Sequence, residues 1–373
     1  MKIRKIAALG VAAGVITALV ASAVPATADP VTDGYAAVGS DTLQDSMNAL
    51  VNGSTVTGSD VRVSAGGVSL GSFDAFGGAK IRTKQSGGYF TRPGGSGAGV
   101  NALRASITGN ALNGETLLGQ VDIARSSSGP GANANANGLL VYVPFARDAV
   151  AYAYRVPASD TACAAALANL TAAQISGLYS AATGNTTLCA GQTITPRLPQ
   201  VNSGTRSFFL TAIGVPTPGA AVPAGDNLAT GPQENTGGQI SDYQIIPFSG
   251  ASWIAQSNGA APNTIASDTN LHLGAVNGNL AYTGTGNNLV PNATTYSDTT
   301  FGRDVYLVVE YARINPSDPK YDSKLATLVD STKAGNSLVS FVTALPTQPG
   351  AVKAKFGFRP PSTTAVQRAF ATL

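Results

Sequence analysis

Histidine occurs once in the 373 residues, as His272; tryptophan also occurs once, and cysteine and methionine twice each. One imidazole excludes a multi-histidine metal centre, and two thiols cannot build a four-ligand structural zinc site. Charge is scarce, at 12% of residues, and nearly even in sign, with 23 basic against 20 acidic side chains. Without Lys2, Arg4 and Lys5 the signs balance, which leaves no broad field for a nucleic acid or a membrane surface. Beyond the N-terminus no run of eighteen apolar residues exists to form a membrane-spanning helix. A Walker A loop is also missing.

What is present begins with a leader-like segment. Lys2, Arg4 and Lys5 form a charged start, Ile6 to Val20 an apolar core, and Ala26-Thr27-Ala28 a small-residue cleavage site, so residues 1–28 are expected to be a signal peptide. No cysteine lies near that site to carry a lipid. The expected product is secreted, either extracellular or cell-wall associated. In an oxidising compartment Cys163 and Cys189 are expected to pair. Their bridge would contribute roughly 3 kcal/mol in the chain-entropy picture. Between them Thr171-Ala172-Ala173-Gln174 reads as a capping box, followed by a helical stripe of Ile175, Leu178 and Tyr179.

The remaining length, about 345 residues, exceeds what one core usually fills, so two lobes are expected. Segments rich in β-branched and aromatic residues alternate with helical patterns, which predicts an α/β fold. Two extended runs, Val141-Tyr142-Val143-Pro144-Phe145 onward and Asp304 to Tyr311, are long enough to pass between lobes. The chain is expected to cross at about 145 and return at about 305. That gives residues 29–145 and 305–373 to the first lobe and 146–304 to the second. Leu325, Leu328 and Val329, then Leu338, Phe341 and Val342, read as two C-terminal helices. Residues 214–240 and 257–300, rich in Gly, Asn, Pro and Thr, read as surface insertions.

Three short turns each lead directly into a helical apolar pattern. They are Gly39-Ser40-Asp41-Thr42, Gly95-Ser96-Gly97-Ala98-Gly99 and Asn202-Ser203-Gly204-Thr205. A helix start exposes N–H groups and the positive end of the macrodipole, so it draws anions. Thr42, Ser96, Ser203 and Thr205 would add hydroxyl donors, and Leu43, Gly97, Ala98 and Gly204 backbone N–H groups. The plainer role of Ser40, Ser96 and Ser203 is to cap their own helices, as Asp41 would its own. Arg125 and Arg206 are the expected charge partners, since a guanidinium fork matches an oxyanion, with Arg92 as a third. Tyr243 and Trp253 could line a cleft for an organic ligand, though core packing is the commoner fate of such rings. Gly67-Val68-Ser69-Leu70-Gly71 matches G-x-S-x-G with His272 downstream, but the glycines that follow argue against the helix a nucleophile elbow needs. No enzyme and no cofactor are expected.

In order, five segments of this chain resemble the phosphate-binding proteins of bacterial ABC uptake systems. They are Val38-Gly39-Ser40-Asp41-Thr42-Leu43, Arg92 to Gly99, Val121-Asp122-Ile123-Ala124-Arg125-Ser126-Ser127, Tyr142 to Val150, and Asn202-Ser203-Gly204-Thr205-Arg206. The resemblance implies the type 2 periplasmic-binding-protein fold, two α/β lobes hinged by two crossing strands. It further implies phosphate or a similar tetrahedral oxyanion as ligand, an ABC permease as partner and a monomeric state. By that likeness Ser127 joins the ligand set where the family often has a carboxylate, and Pro199 stands where the family often has an arginine; Arg197 lies two residues further back. The rival expectation is a secreted interaction or cell-surface protein that kept the fold without the anion.

Overall fold

The computed structural model describes residues 31–265 and 269–373; the leader read at 1–28 lies outside the described residues. One strand organises the rest. β4 (Leu140–Arg155) runs for 16 residues and is buried along almost all of them. Its sequence is close to a continuous apolar and aromatic run, as a strand covered on both faces requires. The other strands of its sheet are β1 (Tyr35–Gly39), β2 (Leu70–Ser72), β3 (Ile123–Ser126), β5 (Asn169–Leu170), β6 (Thr195–Pro196), β7 (Gln244–Ser249), β8 (Leu271–Val276), β9 (Gly302–Glu310) and β10 (Gln367–Ala369).

The two halves of β4 keep different company. Its N-terminal half lies between β9 and β10, and beyond β9 the order continues β3, β1, β2. Its C-terminal half pairs with β7 on one side and β8 on the other, with β6 beyond β7 and β5 beyond β8. The strand therefore belongs to two sheets in turn. The apolar cores divide in the same way. Val150, Tyr152 and Val156 pack with residues from Cys163 to Phe301, whereas Val143 and Phe145 pack with Leu43, Val305, Leu328 and Phe358. A third cluster lies on the opposite face of β1 and β3, around Val38, Phe90 and Leu103.

A proline sits inside this central strand. Pro144 cannot donate to the ladder, and the register slips there: Val305 faces Ala146 and Tyr306 faces Pro144, leaving Phe145 as the extra residue. The bulge turns the Phe145 carbonyl to buried Lys353, whose Nζ donates to it at 2.8 Å and to the Leu338 carbonyl at 3.0 Å. Burial holds the Lys353 amine well below the usual lysine range.

Helices fill the faces. α1 (Gln44–Asn52) buries Met47, Leu50 and Val51, and α2 (Ser96–Thr108) buries Val100 and Leu103, on the stripes the sequence marks. α3 (Thr161–Leu167) and α4 (Ala172–Ser180) are joined to the segment after them by the Cys163–Cys189 disulfide, and Thr171 and Gln174 close the capping box. α5 (Gly204–Ala212) and α6 (Gly250–Ser257) each start at a serine whose side chain accepts from the N–H three residues on. α7 (Ser323–Leu328) and α8 (Pro349–Lys355) follow late in the chain.

Two expectations are corrected here. Leu338 to Val342 is irregular rather than helical, and it is fixed instead by burial of Leu338 and Val339 and by the Lys353 bond. Residues 257–300 are not a mere surface insertion, because they contribute β8, which pairs with β4 over Leu271–Gly274. No helix among the described residues is long and apolar enough to cross a membrane.

Candidate functional site

All three turns open helices, and the first and third follow strands paired in parallel, β1 and β6, the usual place for ligands in α/β folds. The first leaves β1 at Gly39, whose φ of 112° needs glycine, and its Ser40 N–H donates to the Arg125 carbonyl at the end of β3 at 3.0 Å. The second lies directly against it: a Cβ on Gly99 would stand 2.6 Å from the Gly39 Cα. The third docks on the second, with the Gly97 N–H on the Asn202 carbonyl at 3.0 Å, and a Cβ on Gly204 would meet the hydroxyls of Ser96 and Ser127, both at 2.4 Å. Glycine at these contacts brings three helix starts together.

Their convergence point holds a carboxylate from the chain itself. Glu234, buried in the segment after α5, accepts the Thr42 hydroxyl at 2.8 Å, the Ser203 hydroxyl, the Thr205 N–H at 3.3 Å and the Ser40 hydroxyl at 3.5 Å. Ser203 meanwhile caps α5 by accepting from the Arg206 N–H at 3.0 Å. Behind the hydroxyls stands Arg303, buried on β9. Its Nη2 donates to Thr205 Oγ1 at 2.9 Å and reaches Thr42 Oγ1 at 3.5 Å, while Nε and Nη2 donate to Asp148 at 3.1 and 2.8 Å. Its Nη1 has no acceptor among the described residues.

Asp41 completes the cluster. Burial and then the neighbouring Glu234 charge push its carboxyl well above the usual range. Burial pushes Glu234 upward too, but the neighbouring Asp41 carboxyl, the Arg303 charge and the Ser203 and Thr42 hydroxyls outweigh it and hold Glu234 low. The two neighbouring carboxyls are thus pushed apart, Asp41 toward its neutral form and Glu234 toward its charged one, while Asp41 Oδ2 has no hydrogen-bond partner among the described residues.

The expected ligand residues do not all meet. Thr42, Ser203, Gly204 and Thr205 stand at the convergence point. Ser96 and Ser127 lie next to Gly204 and are bonded to each other, Oγ to Oγ at 3.1 Å, with the Ser127 N–H on Ser96 Oγ at 3.0 Å. The Leu43 side chain is buried in the core beneath α1, and Ala98 lines a neighbouring cleft of about 960 Å³ that runs from Ala75 and Phe76 to Gln233.

Neither guanidinium expected as a charge partner stands at the convergence point of the three turns. Arg125 is fully buried beneath the first turn and donates to the carbonyls of Ser40 (3.0 Å) and Phe73 (2.6 Å) and to the Ser72 hydroxyl (2.8 Å). Strand ends leave carbonyls unpaired, and this guanidinium satisfies them. Arg206 turns to the Pro199 and Asp226 carbonyls, at 3.0 and 2.7 Å, and to the Asn227 side chain. Arg92 holds the carbonyls of Gly78 and Asp74. Trp253 packs edge-on to Phe248 in the core, and the Tyr243 hydroxyl reaches Asp160 at 3.2 Å.

Two charged residues stand at the convergence point that no sequence motif singled out, Glu234 and Arg303. Glu234 is the one charged residue between Asp226 and Asp242, within a stretch taken for an insertion. Arg303 is a lone cation opening an apolar strand, and that isolation was the available signal. The G-x-S-x-G serine and the histidine lie apart in the sheet: Ser69 precedes edge strand β2, and His272 lies on β8, with β1, β3, β9 and β4 between them. Among the described residues no group of three or more His, Cys, Asp or Glu side chains is placed to hold a metal ion.

A family model described as the PBP superfamily domain matches residues 25–329. Similar solved structures include an ABC-type phosphate transport receptor from Vibrio cholerae, at 15% identity over 88% of this chain and 100% of that one, with a TM-score of 0.49. Another is a putative phosphate ABC transporter substrate-binding protein with bound phosphate from Clostridium perfringens, at 14% identity over 87% and 98%, with a TM-score of 0.48. A phosphate-binding protein from Stenotrophomonas maltophilia gives 13% identity over 89% and 91%, with a TM-score of 0.47. No curated protein matches the chain in sequence.

Proposed function

The chain belongs to the PBP superfamily, and from that premise we propose that it is a secreted solute-binding protein for phosphate or a similar tetrahedral oxyanion. The observation that carries this reading is the Glu234 carboxylate, an anion held by hydroxyls and an N–H from two helix starts with Arg303 behind them. A site that satisfies a buried carboxylate in this way is chemically a receptor for oxyanions. With the Glu234 carboxylate in place Arg303 Nη1 has no acceptor among the described residues, and a tetrahedral ion would bring four oxygens.

In this reading the free ion takes the place of the Glu234 carboxylate. Thr42, Ser203 and Thr205 donate hydroxyls, Leu43 and Gly204 add N–H groups, and Arg303 neutralises the charge. Ser96, Gly97, Ala98 and Ser127 form the wall on the second turn, and Arg125 and Arg206 support the walls from behind. The lobes 29–145 with 305–373, and 146–304, close over the ion about β4 and β9. The protein acts as a monomer that passes its ligand to an ABC permease, and no chemical step is involved.

A second reading is favoured by the same carboxylate. A chain that fills its own anion pocket can serve as a secreted interaction protein on the retained fold. Calorimetric titration of the purified protein with phosphate, sulfate and molybdate separates the two. Saturable heat with phosphate is the expected result, and no heat with any of the three selects the interaction reading.

A further inference from the structure

Glu234 arrives at the anion position on a restrained segment. On one side the Pro232 carbonyl accepts the Gln200 N–H at 2.8 Å, and Asp226 is gripped by Arg197 at 2.7 and 2.9 Å. On the other side the Asn235 carbonyl accepts Gln256 Nε2 at 2.8 Å. With both flanks moored, the carboxylate stays close to the pocket even when displaced, and its effective concentration there is set by the fold rather than by solution.

We propose that Glu234 is a tethered competitor that sets both the threshold and the selectivity of the anion pocket, an inference that rests on the oxyanion-binding reading. A free ion must displace a carboxylate that already uses the Thr42, Ser203 and Thr205 donors. An incoming monocarboxylate offers the same two oxygens and one charge, so exchange gains it nothing and costs it the entropy of association. A tetrahedral dianion offers more oxygens and more charge to the same guanidinium, whose buried Nη1 has no acceptor among the described residues. The filter thus admits phosphate-like ions only above a concentration threshold and excludes small carboxylates.

The test titrates phosphate and acetate into the full chain and into Glu234→Ala, with thermal melting as a second readout. The expected result is phosphate binding at least tenfold tighter in the variant, together with an acetate-induced rise in melting temperature that the parent chain does not show. Equal phosphate affinity in the two proteins overturns the inference while leaving the oxyanion reading intact. Absence of phosphate binding from both, in proteins that melt cooperatively, overturns inference and reading together. Should Glu234→Ala not fold, Glu234→Gln keeps the side-chain volume and removes the charge. Its expected phosphate affinity lies above that of the parent, and an unchanged value overturns the inference.

Discussion

Arg303 and Asp148 face each other across the two long strands, paired in register and joined by a 2.8 Å ion pair that is almost wholly buried. The other Asp148 oxygen accepts the Ser249 hydroxyl and the Ala251 N–H, both at 3.0 Å, at the start of α6. Asp148 thereby fixes the guanidinium that stands behind Thr42 and Thr205. Asp148→Ala would leave a buried cation without its counter-charge. The expected loss is about 3–5 kcal/mol of stability, read by urea denaturation, with a matching loss of anion binding. A change below 1 kcal/mol would show that the pair is not structural.

Gly204 is the contact between the second and third helix starts. A Cβ there would stand 2.4 Å from two serine hydroxyls, closer than any real contact. Gly204→Ala is expected to pivot those hydroxyls or shift the start of α5, costing roughly 1–3 kcal/mol and weakening phosphate binding by more than tenfold. Calorimetry and thermal melting together check it, and parent-like values in both would remove this approach from the site.

Asp45, in the first turn of α1, has its carboxyl pushed up to about 6, chiefly by burial and then by the Asp74 charge, from an unfolded value of 3.8. The folded chain therefore holds this proton more tightly than the unfolded one, so stability falls as pH rises from about 4 to about 6. Asp45→Asn removes that fall. Above pH 6 the variant is expected to be more stable by about 2 kcal/mol, after allowance for the side chain's partial exposure. Near pH 4 the advantage should vanish. Urea denaturation at pH 4 and 7.5 decides, and a pH-independent difference would rule the titration out.

Arg206 has its donors on the Pro199 and Asp226 carbonyls and on Asn227, in the segment that leads to Glu234. Arg206→Ala is expected to lower stability by about 1–2 kcal/mol through two orphaned carbonyls. Loosening that segment should ease the exit of Glu234, so phosphate affinity should rise or hold. A strong loss of affinity at unchanged stability would instead mark Arg206 as a direct ligand group.

Much of the fold was legible because its signals are local. Ser203 caps three residues ahead, Thr171 and Gln174 close a box within one turn, and Met47, Leu50 and Val51 fall on one helical stripe. The glycines at 39 and 204 mark chain approaches that only a missing side chain permits. Even so, Leu338, Phe341 and Val342 had helical spacing and formed none, since spacing says nothing of the distant Lys353 that claims the Leu338 carbonyl.

By itself the sequence determined that helix starts rich in glycine and hydroxyls would exist, because capping and backbone freedom act over three or four residues. Tertiary structure alone decided which charges meet there. Glu234 reaches Thr42 across 192 positions and Arg303 reaches Thr205 across 98, while the nearer Arg125 and Arg206 are drawn to carbonyls that strand and loop ends leave bare. A charged side chain goes where desolvation is best offset, and that depends on which distant segments pack against it.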